Sequence, residues 1–148
     1  MSLPTMMNTL LNPSKMIFVD TSAFLALLTV SDSFHIQAKT QWRALLENTV
    51  VPITNNYVLI ETIAILQNRH GLALVQNLQI ELLPLLEVDW LGETQHNEAI
   101  YQLFAANRRR LSLVDCSSFA TMRRRGIRQV FTFDPHFGEQ GFEVVPAI

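Results

Sequence analysis

The chain has 148 residues, of which 49% are hydrophobic and 16% charged, and its formal net charge is −2. This length and apolar content fit one domain with its own core, and they exclude a disordered, highly charged chain. No apolar stretch reaches the roughly 18 residues of a membrane span. The single cysteine, Cys116, excludes an internal disulfide, so we expect a cytoplasmic protein.

The first half of the chain alternates short apolar runs with segments of helical period. Residues 1–15 have no period and are interpreted as an extension ahead of a domain at 16–148. The apolar run 16–20 predicts a buried strand, and Thr21 and Ser22 offer caps for a helix to about residue 29. The next predicted elements are a helix from Asp32 or Ser33 over Phe34, Ala38, Trp42, Leu45 and Leu46, a strand at 49–53, and helices at 57–69 and 72–82.

The second half continues the same alternation. Its predicted elements are a strand at 85–90, an amphipathic helix at 93–107 with Ala99, Ile100, Leu103 and Phe104 on one face, a helix at 115–125 ended by Gly126, and strands at 129–133 and 142–145. Short strands that alternate with helices indicate an α/β fold with a parallel sheet and helices on both of its faces.

Three aspartates stand where such a fold binds ligands, at the carboxyl ends of the strands. Asp20 ends the first strand, Asp134 ends the fourth, and Asp115 opens a helix. Each also has a purely structural interpretation, because aspartate caps helices and Asp-Pro forms turns.

Glu61 is the fourth acidic candidate, and it lies in a helical segment that is apolar nearly all round. An ionised carboxylate in such a segment is costly unless an arginine or a metal ion compensates it. The residue alone leaves both possibilities open.

Taken together, the four acids favour a metal site. Like charges at one sheet edge repel each other, and a divalent cation such as Mg²⁺, which prefers oxygen ligands, removes that conflict. The hydroxyls of Ser22 and Thr132 are candidates to orient a carboxylate or a metal-bound water. The alternative is that they only cap a helix and form hydrogen bonds at a strand end. The histidines lack the spacing of metal ligands, and we interpret them as surface or packing residues: His35, His70, His96 and His136.

The acidic residues lie in four blocks that resemble the PIN-domain family, in particular the VapC-like toxins of toxin–antitoxin modules. The blocks are residues 18–23 (FVDTSA), 54–62 (TNNYVLIET), 112–119 (SLVDCSSF) and 132–137 (TFDPHF). The resemblance covers about residues 16–146. It implies a three-layer α/β/α fold with a parallel sheet of about five strands. It also implies a catalytic site of Asp20, Glu61, Asp115 and Asp134 that uses Mg²⁺ or Mn²⁺ and water to cleave RNA internally, an antitoxin partner and a homodimer.

Two arginine clusters flank the third acidic block and are candidates to contact RNA phosphates. They comprise Arg108, Arg109 and Arg110, and Arg123, Arg124 and Arg125. The alternative for the second cluster is a solvated helix end, since arginine there complements the helix dipole.

Two other functions are possible for an α/β domain with clustered acids. A receiver-like phosphoacceptor needs a lysine after a late strand, and the only lysines are Lys15 and Lys39. A catalytically silent PIN-like module that binds RNA or protein is the second alternative, and four intact acids argue against it.

Overall fold

Five strands form the centre of the computed structural model, which describes residue 12 and residues 15–147. They are β1 (Met16–Val19), β2 (Val51–Asn55), β3 (Glu87–Asp89), β4 (Gln129–Phe131) and β5 (Glu143–Val145). Their order in the sheet is β3-β2-β1-β4-β5, and every neighbouring pair is parallel. The predicted parallel sheet is therefore confirmed. The predicted extension, residues 1–15, lies outside the described residues except for Asn12 and Lys15.

Helices flank the sheet and complete the expected three-layer α/β/α arrangement. They are α1 (Thr21–Leu28), α2 (His35–Glu47), α3 (Asn56–His70), α4 (Leu72–Asn77), α5 (Glu93–Ala106), α6 (Leu113–Arg125) and α7 (His136–Glu139). Helix α6 contacts α3 and α5, while α1 contacts α2 and α3. None of the helices in the described part of the chain is long and apolar enough to cross a membrane.

The core is centred on β1, because a middle strand of a covered parallel sheet is buried on both faces. All four residues of β1 are buried, and the large side chains packed without solvent contact include Phe18, Phe24, Phe131 and Phe137. Burial of each such side chain contributes roughly 1.5–3 kcal/mol. This rigid core holds the ends of β1 and β4 in place, and two of the candidate acids lie just beyond those ends.

Asn55 connects the elements that carry two of the candidate acids. Its Oδ1 accepts a hydrogen bond from the backbone N–H of Val58 at 2.9 Å and so caps α3. Its Nδ2 donates to Ser117 Oγ at 3.3 Å and to Thr121 Oγ1 at 3.2 Å, both on α6. Because Asn55 is fully buried, these bonds fix the start of α3 relative to α6.

Several predicted boundaries were wrong, and caps explain most of the differences. Asp20 caps α1, not Thr21 or Ser22. Helix α6 begins two residues before Asp115, because Ser112 is its cap. Strand β2 extends to Asn55 instead of residue 53, and β4 ends at Phe131 instead of residue 133.

Two further expectations based on periodicity were wrong, and one short helix was missed. The helix predicted at 72–82 ends at Asn77 and continues as a π-helical turn, Leu78–Leu82, and a 3₁₀ turn, Leu83–Leu85. Phe104 was placed on the apolar face of α5, but it is 74% exposed. The four-residue helix α7 was not predicted, since a single turn has no measurable period.

Candidate metal centre

Asp20 follows β1 directly and is buried, with 5% of its surface exposed. Its Oδ2 accepts hydrogen bonds from Ser22 Oγ and Thr132 Oγ1, each at 2.9 Å. Burial raises the pKa of Asp20 from 3.8 to about 6, and repulsion from Asp115 adds to the rise, while the two hydroxyls oppose it. The structure thus places both predicted hydroxyls on Asp20, where they hold one of its oxygens, Oδ2.

Glu61 lies in the second turn of α3 and is half-buried. Burial raises its pKa, and the negative charges of Asp115 and Asp134 raise it further. The hydroxyl of Thr21 is the one group that lowers it. Glu61 therefore faces other acids, and it forms no ion pair with an arginine or lysine among the described residues.

Asp115 occupies the first turn of α6 and forms a capping box with Ser112. The backbone N–H of Ser112 donates to Asp115 Oδ2 at 3.1 Å, and the N–H of Asp115 donates to Ser112 Oγ at 3.0 Å. The capping interpretation is correct for this one oxygen. Burial nevertheless raises the pKa of Asp115, and repulsion from Asp134 contributes. The cap orients the carboxylate without neutralising it.

Asp134 lies in the turn between β4 and α7. Its own N–H donates to Thr132 Oγ1 at 2.9 Å, and its Oδ1 accepts from the backbone N–H of His136 at 2.9 Å. This turn brings the imidazole of His136 into the acidic group, with Nδ1 3.1 Å from Asp134 Oδ1 and 3.7 Å from Asp115 Oδ2. The expectation that His136 is only a surface or packing residue was wrong. Its position two residues after Asp134, across a turn, was the indication in the sequence.

The tightest group of possible metal ligands in the described residues consists of Asp115, Asp134 and His136. One ligand atom from each lies within 4.8 Å of the others. Asp20 and Glu61 are not part of this group, but the charge of Asp115 acts on both and helps to raise their pKa values. The four predicted acids therefore face one another, with the histidine added.

This donor set fits a divalent cation. Within residues 15–147, no lysine or arginine forms a salt bridge with any of the four acids, and the basic side chain beside them is His136. Hydrogen bonds to one oxygen of Asp115 and to one oxygen of Asp134 leave lone pairs on both carboxylates, since a carboxylate can accept about four bonds, and these remain for an ion. Carboxylate oxygens are the ligands that Mg²⁺ and Mn²⁺ prefer.

The two arginine clusters lie at opposite ends of α6. The loop before α6 carries Arg108, Arg109 and Arg110, all exposed, and Arg108 pairs with Glu139 of α7 at 3.3 Å. The last turn of α6 carries Arg123, Arg124 and Arg125, which a rise of 1.5 Å per residue puts about 12–15 Å along the axis from Asp115. The first cluster therefore precedes the end of α6 that carries Asp115, and the second lies at the far end of the helix.

Comparison with known proteins gives a consistent result. Residues 17–143 match the PIN domain family. The 23S rRNA-specific endonuclease VapC20 of Mycobacterium tuberculosis, in strains CDC 1551 and H37Rv, is 38% identical over 133 residues, which cover 88% of this chain and 99% of that protein. The crystal structure of M. tuberculosis VapC20, described as a sarcin–ricin loop cleaving toxin, superposes with a TM-score of 0.76 at 35% identity, and the match covers 85% of this chain and 95% of that one.

Proposed function

The chain belongs to the PIN-domain family, and on this premise we propose that it is a toxin endoribonuclease whose Asp20, Glu61, Asp115 and Asp134 hold Mg²⁺ or Mn²⁺. The observation that carries the proposal is the group of facing carboxylates, with no lysine or arginine partner among the described residues. Four such acids argue against the catalytically silent alternative, because uncompensated charges are costly to keep without a ligand.

The chemistry assigned to each residue follows from its surroundings. A bound divalent ion would lower the pKa of a water molecule and stabilise charge on the phosphodiester. Ser22 and Thr132 hold Asp20 in one orientation, and the capping box does the same for Asp115. Glu61 has a raised pKa and is partly exposed, so it suits the role of accepting a proton from the attacking water.

The proposed substrate is the sarcin–ricin loop of 23S rRNA. The support is the relative named as a 23S rRNA-specific endonuclease, which is 38% identical over nearly its entire length, and its structure, described as that of a sarcin–ricin loop cleaving toxin. A cytoplasmic location belongs to the same proposal, because ribosomal RNA is found there.

The proposed path of the RNA begins at the arginine loop before α6. A groove of about 430 Å³ next to this loop is lined by residues that include Arg108, Arg109 and Ser112. Ser112 caps the helix that carries Asp115, so the groove leads towards the acidic group. Positive charge at its entrance would attract the phosphate backbone, which the acids alone would repel. The cluster Arg123, Arg124 and Arg125 is proposed to contact RNA phosphates that lie farther from the acidic group.

An antitoxin protein and a second copy of the chain are the proposed protein partners. An apolar pocket of about 340 Å³ adjoins Glu61 and is lined by Tyr57, Ile60 and Val114. Ile60 is 64% exposed, and an apolar side chain of an antitoxin placed there would block RNA from the acids. Light scattering after gel filtration would test the homodimer, which requires about twice the 16.9 kDa of one chain.

The activity is tested with a synthetic RNA that carries the sarcin–ricin loop and a control RNA of the same length with a scrambled loop. We expect cleavage of the first RNA with Mg²⁺ or Mn²⁺, none in EDTA, and recovery when the metal is restored. Asp115→Asn is the inactive control. Cleavage that persists in EDTA contradicts the metal site, and equal cleavage of both RNAs contradicts the substrate. Binding without cleavage under every metal condition would support the silent module instead.

A further inference from the structure

His136 has a buried ring nitrogen that the proposed chemistry does not yet use. It is the first residue of α7, and its backbone N–H is tied to Asp134 Oδ1 at 2.9 Å, which holds the ring over the acids. Its Nδ1 is buried and makes no hydrogen bond, although Asp134 Oδ1 lies at 3.1 Å, because the contact does not have hydrogen-bond geometry. A buried polar atom without a partner is destabilising, so this nitrogen is available to bind a ligand.

The three ligand atoms have the spacing of neighbours around one ion. Two ligands at right angles on bonds of about 2.1 Å lie about 3.0 Å apart, and two opposite ligands lie about 4.2 Å apart. His136 Nδ1 is 3.1 Å from Asp134 Oδ1 and 3.7 Å from Asp115 Oδ2, and one ligand atom from each of the three residues lies within 4.8 Å of the others. One cation between them would satisfy the nitrogen and the two carboxylates together.

We propose that His136 Nδ1 is a nitrogen ligand of the ion held by Asp115 and Asp134, and that it makes this site prefer Mn²⁺ to Mg²⁺. Imidazole binds first-row transition metals well, whereas Mg²⁺ selects oxygen ligands and keeps its waters. The inference deepens the proposed function, since it rests on the same metal site, but it does not depend on which RNA is cleaved.

A competing role for His136 is that of a fixed positive charge, with a protonated ring as permanent counter-ion of the two aspartates. The two roles predict opposite effects of removing the ring. If the ring is a metal ligand, its removal weakens Mn²⁺ binding and leaves Mg²⁺ binding nearly unchanged. If the ring is a counter-ion, its removal strengthens the binding of both ions, because the net charge of the site becomes more negative.

The first test uses the unaltered full-length chain, labelled with ¹⁵N only in histidine, and Mn²⁺ as the probe. Pulsed electron paramagnetic resonance of the bound Mn²⁺ should show coupling to one ¹⁵N nucleus. The other histidines of the chain do not belong to the acidic group: His35 bonds to the Ala26 carbonyl, His96 bonds to Tyr57, and His70 is exposed at the end of α3. Bound Mn²⁺ without nitrogen coupling overturns the proposal, and this measurement needs no variant that must fold.

The second test compares His136→Asn with the matched control His70→Asn by calorimetric titration of Mn²⁺ and, separately, of Mg²⁺. We expect His136→Asn to weaken Mn²⁺ binding about 10–100-fold, to change Mg²⁺ binding by less than about threefold, and to lose the nitrogen coupling. The control should bind both ions as the unaltered chain does. Unchanged Mn²⁺ affinity, an equal loss for both ions, or a gain for both ions overturns the proposal.

The two proposals fail separately in these experiments. If the chain binds Mn²⁺ with nitrogen coupling but cleaves no RNA, the result supports His136 as a ligand and contradicts the ribonuclease proposal. If the chain cleaves RNA but its bound Mn²⁺ shows no nitrogen coupling, the result supports the ribonuclease proposal and contradicts His136 as a ligand.

Discussion

Two groups of acidic residues in this protein differ in how the chain compensates their negative charge. On β3, Glu87 accepts a hydrogen bond from Arg125 Nη2 at 2.8 Å, and Asp89 forms an ion pair with Arg124. At the carboxyl ends of β1 and β4, the facing acids receive hydrogen bonds only from hydroxyls and backbone N–H groups within the described residues. The first group is neutralised by arginines of the chain itself, and the second has no arginine or lysine partner within the described residues.

Helix α6 contributes to both groups and so makes the contrast sharper. Its first turn carries Asp115, and its last turn carries Arg123, Arg124 and Arg125. Both placements suit the helix dipole, which favours negative charge at the start and positive charge at the end. The arginines that could have neutralised Asp115 are thereby kept at the other end of the helix, where they meet the acids of β3.

The largest expected effect of this contrast is on catalysis. Asp20→Asn and Asp115→Asn should each lower RNA cleavage at least about 100-fold, because each removes a charge that holds the ion. The matched control Asp89→Asn removes an acid that already has an arginine, and cleavage should stay within about threefold. Rates are compared at saturating Mn²⁺, with circular dichroism to confirm folding. Full activity of Asp20→Asn would exclude Asp20 from the site.

A second expected difference is in stability against pH. The pKa of Asp20 rises from 3.8 to about 6 on folding, so the folded chain holds this proton more tightly than the unfolded chain does. The stabilisation is complete below the unfolded pKa and is lost as pH rises through about 6. A shift of this size corresponds to about 3 kcal/mol, since each pKa unit is worth 1.36 kcal/mol.

The measurement is urea unfolding in EDTA from pH 4 to pH 7. The free energy of unfolding of Asp20→Asn, relative to the unaltered chain, should rise by about 2.4 kcal/mol across this interval, because part of the effect already lies below pH 4. Added Mn²⁺ at pH 7 should stabilise the unaltered chain more than the variant, because the ion replaces the lost proton. A constant difference between the two proteins would contradict the burial of an uncompensated charge at Asp20.

The smallest expected effects concern the arginines and RNA binding. Arg109 has no ion pair among the described residues, so Arg109→Ala should lower the slope of log affinity against log salt by about one, without loss of stability. Arg124→Ala should also flatten the slope, but less, because Arg124 is already paired with Asp89. Its stability should fall by no more than about 1 kcal/mol. An unaltered slope for both variants would place the RNA elsewhere.

Local patterns in the sequence predicted the fold class and the four acids. The apolar run before Asp20 identified β1, and the apolar surroundings of Glu61 showed that its charge needs compensation. Both depend on neighbours within a few residues, where period and burial are readable. The same reasoning misplaced the start of α6 and missed α7, since caps and single turns have no period.

The sequence by itself determined which side chains are acidic, that strands alternate with helices, and that Asp20 and Asp134 follow apolar strands. Only the tertiary structure decided which acids are neutralised: Arg124 and Arg125 reach partners 35 and 38 residues away, while Asp115 meets His136 and Asp134. The physical reason is that electrostatic interactions depend on distance in space, and the order of parallel strands sets that distance, not separation along the chain.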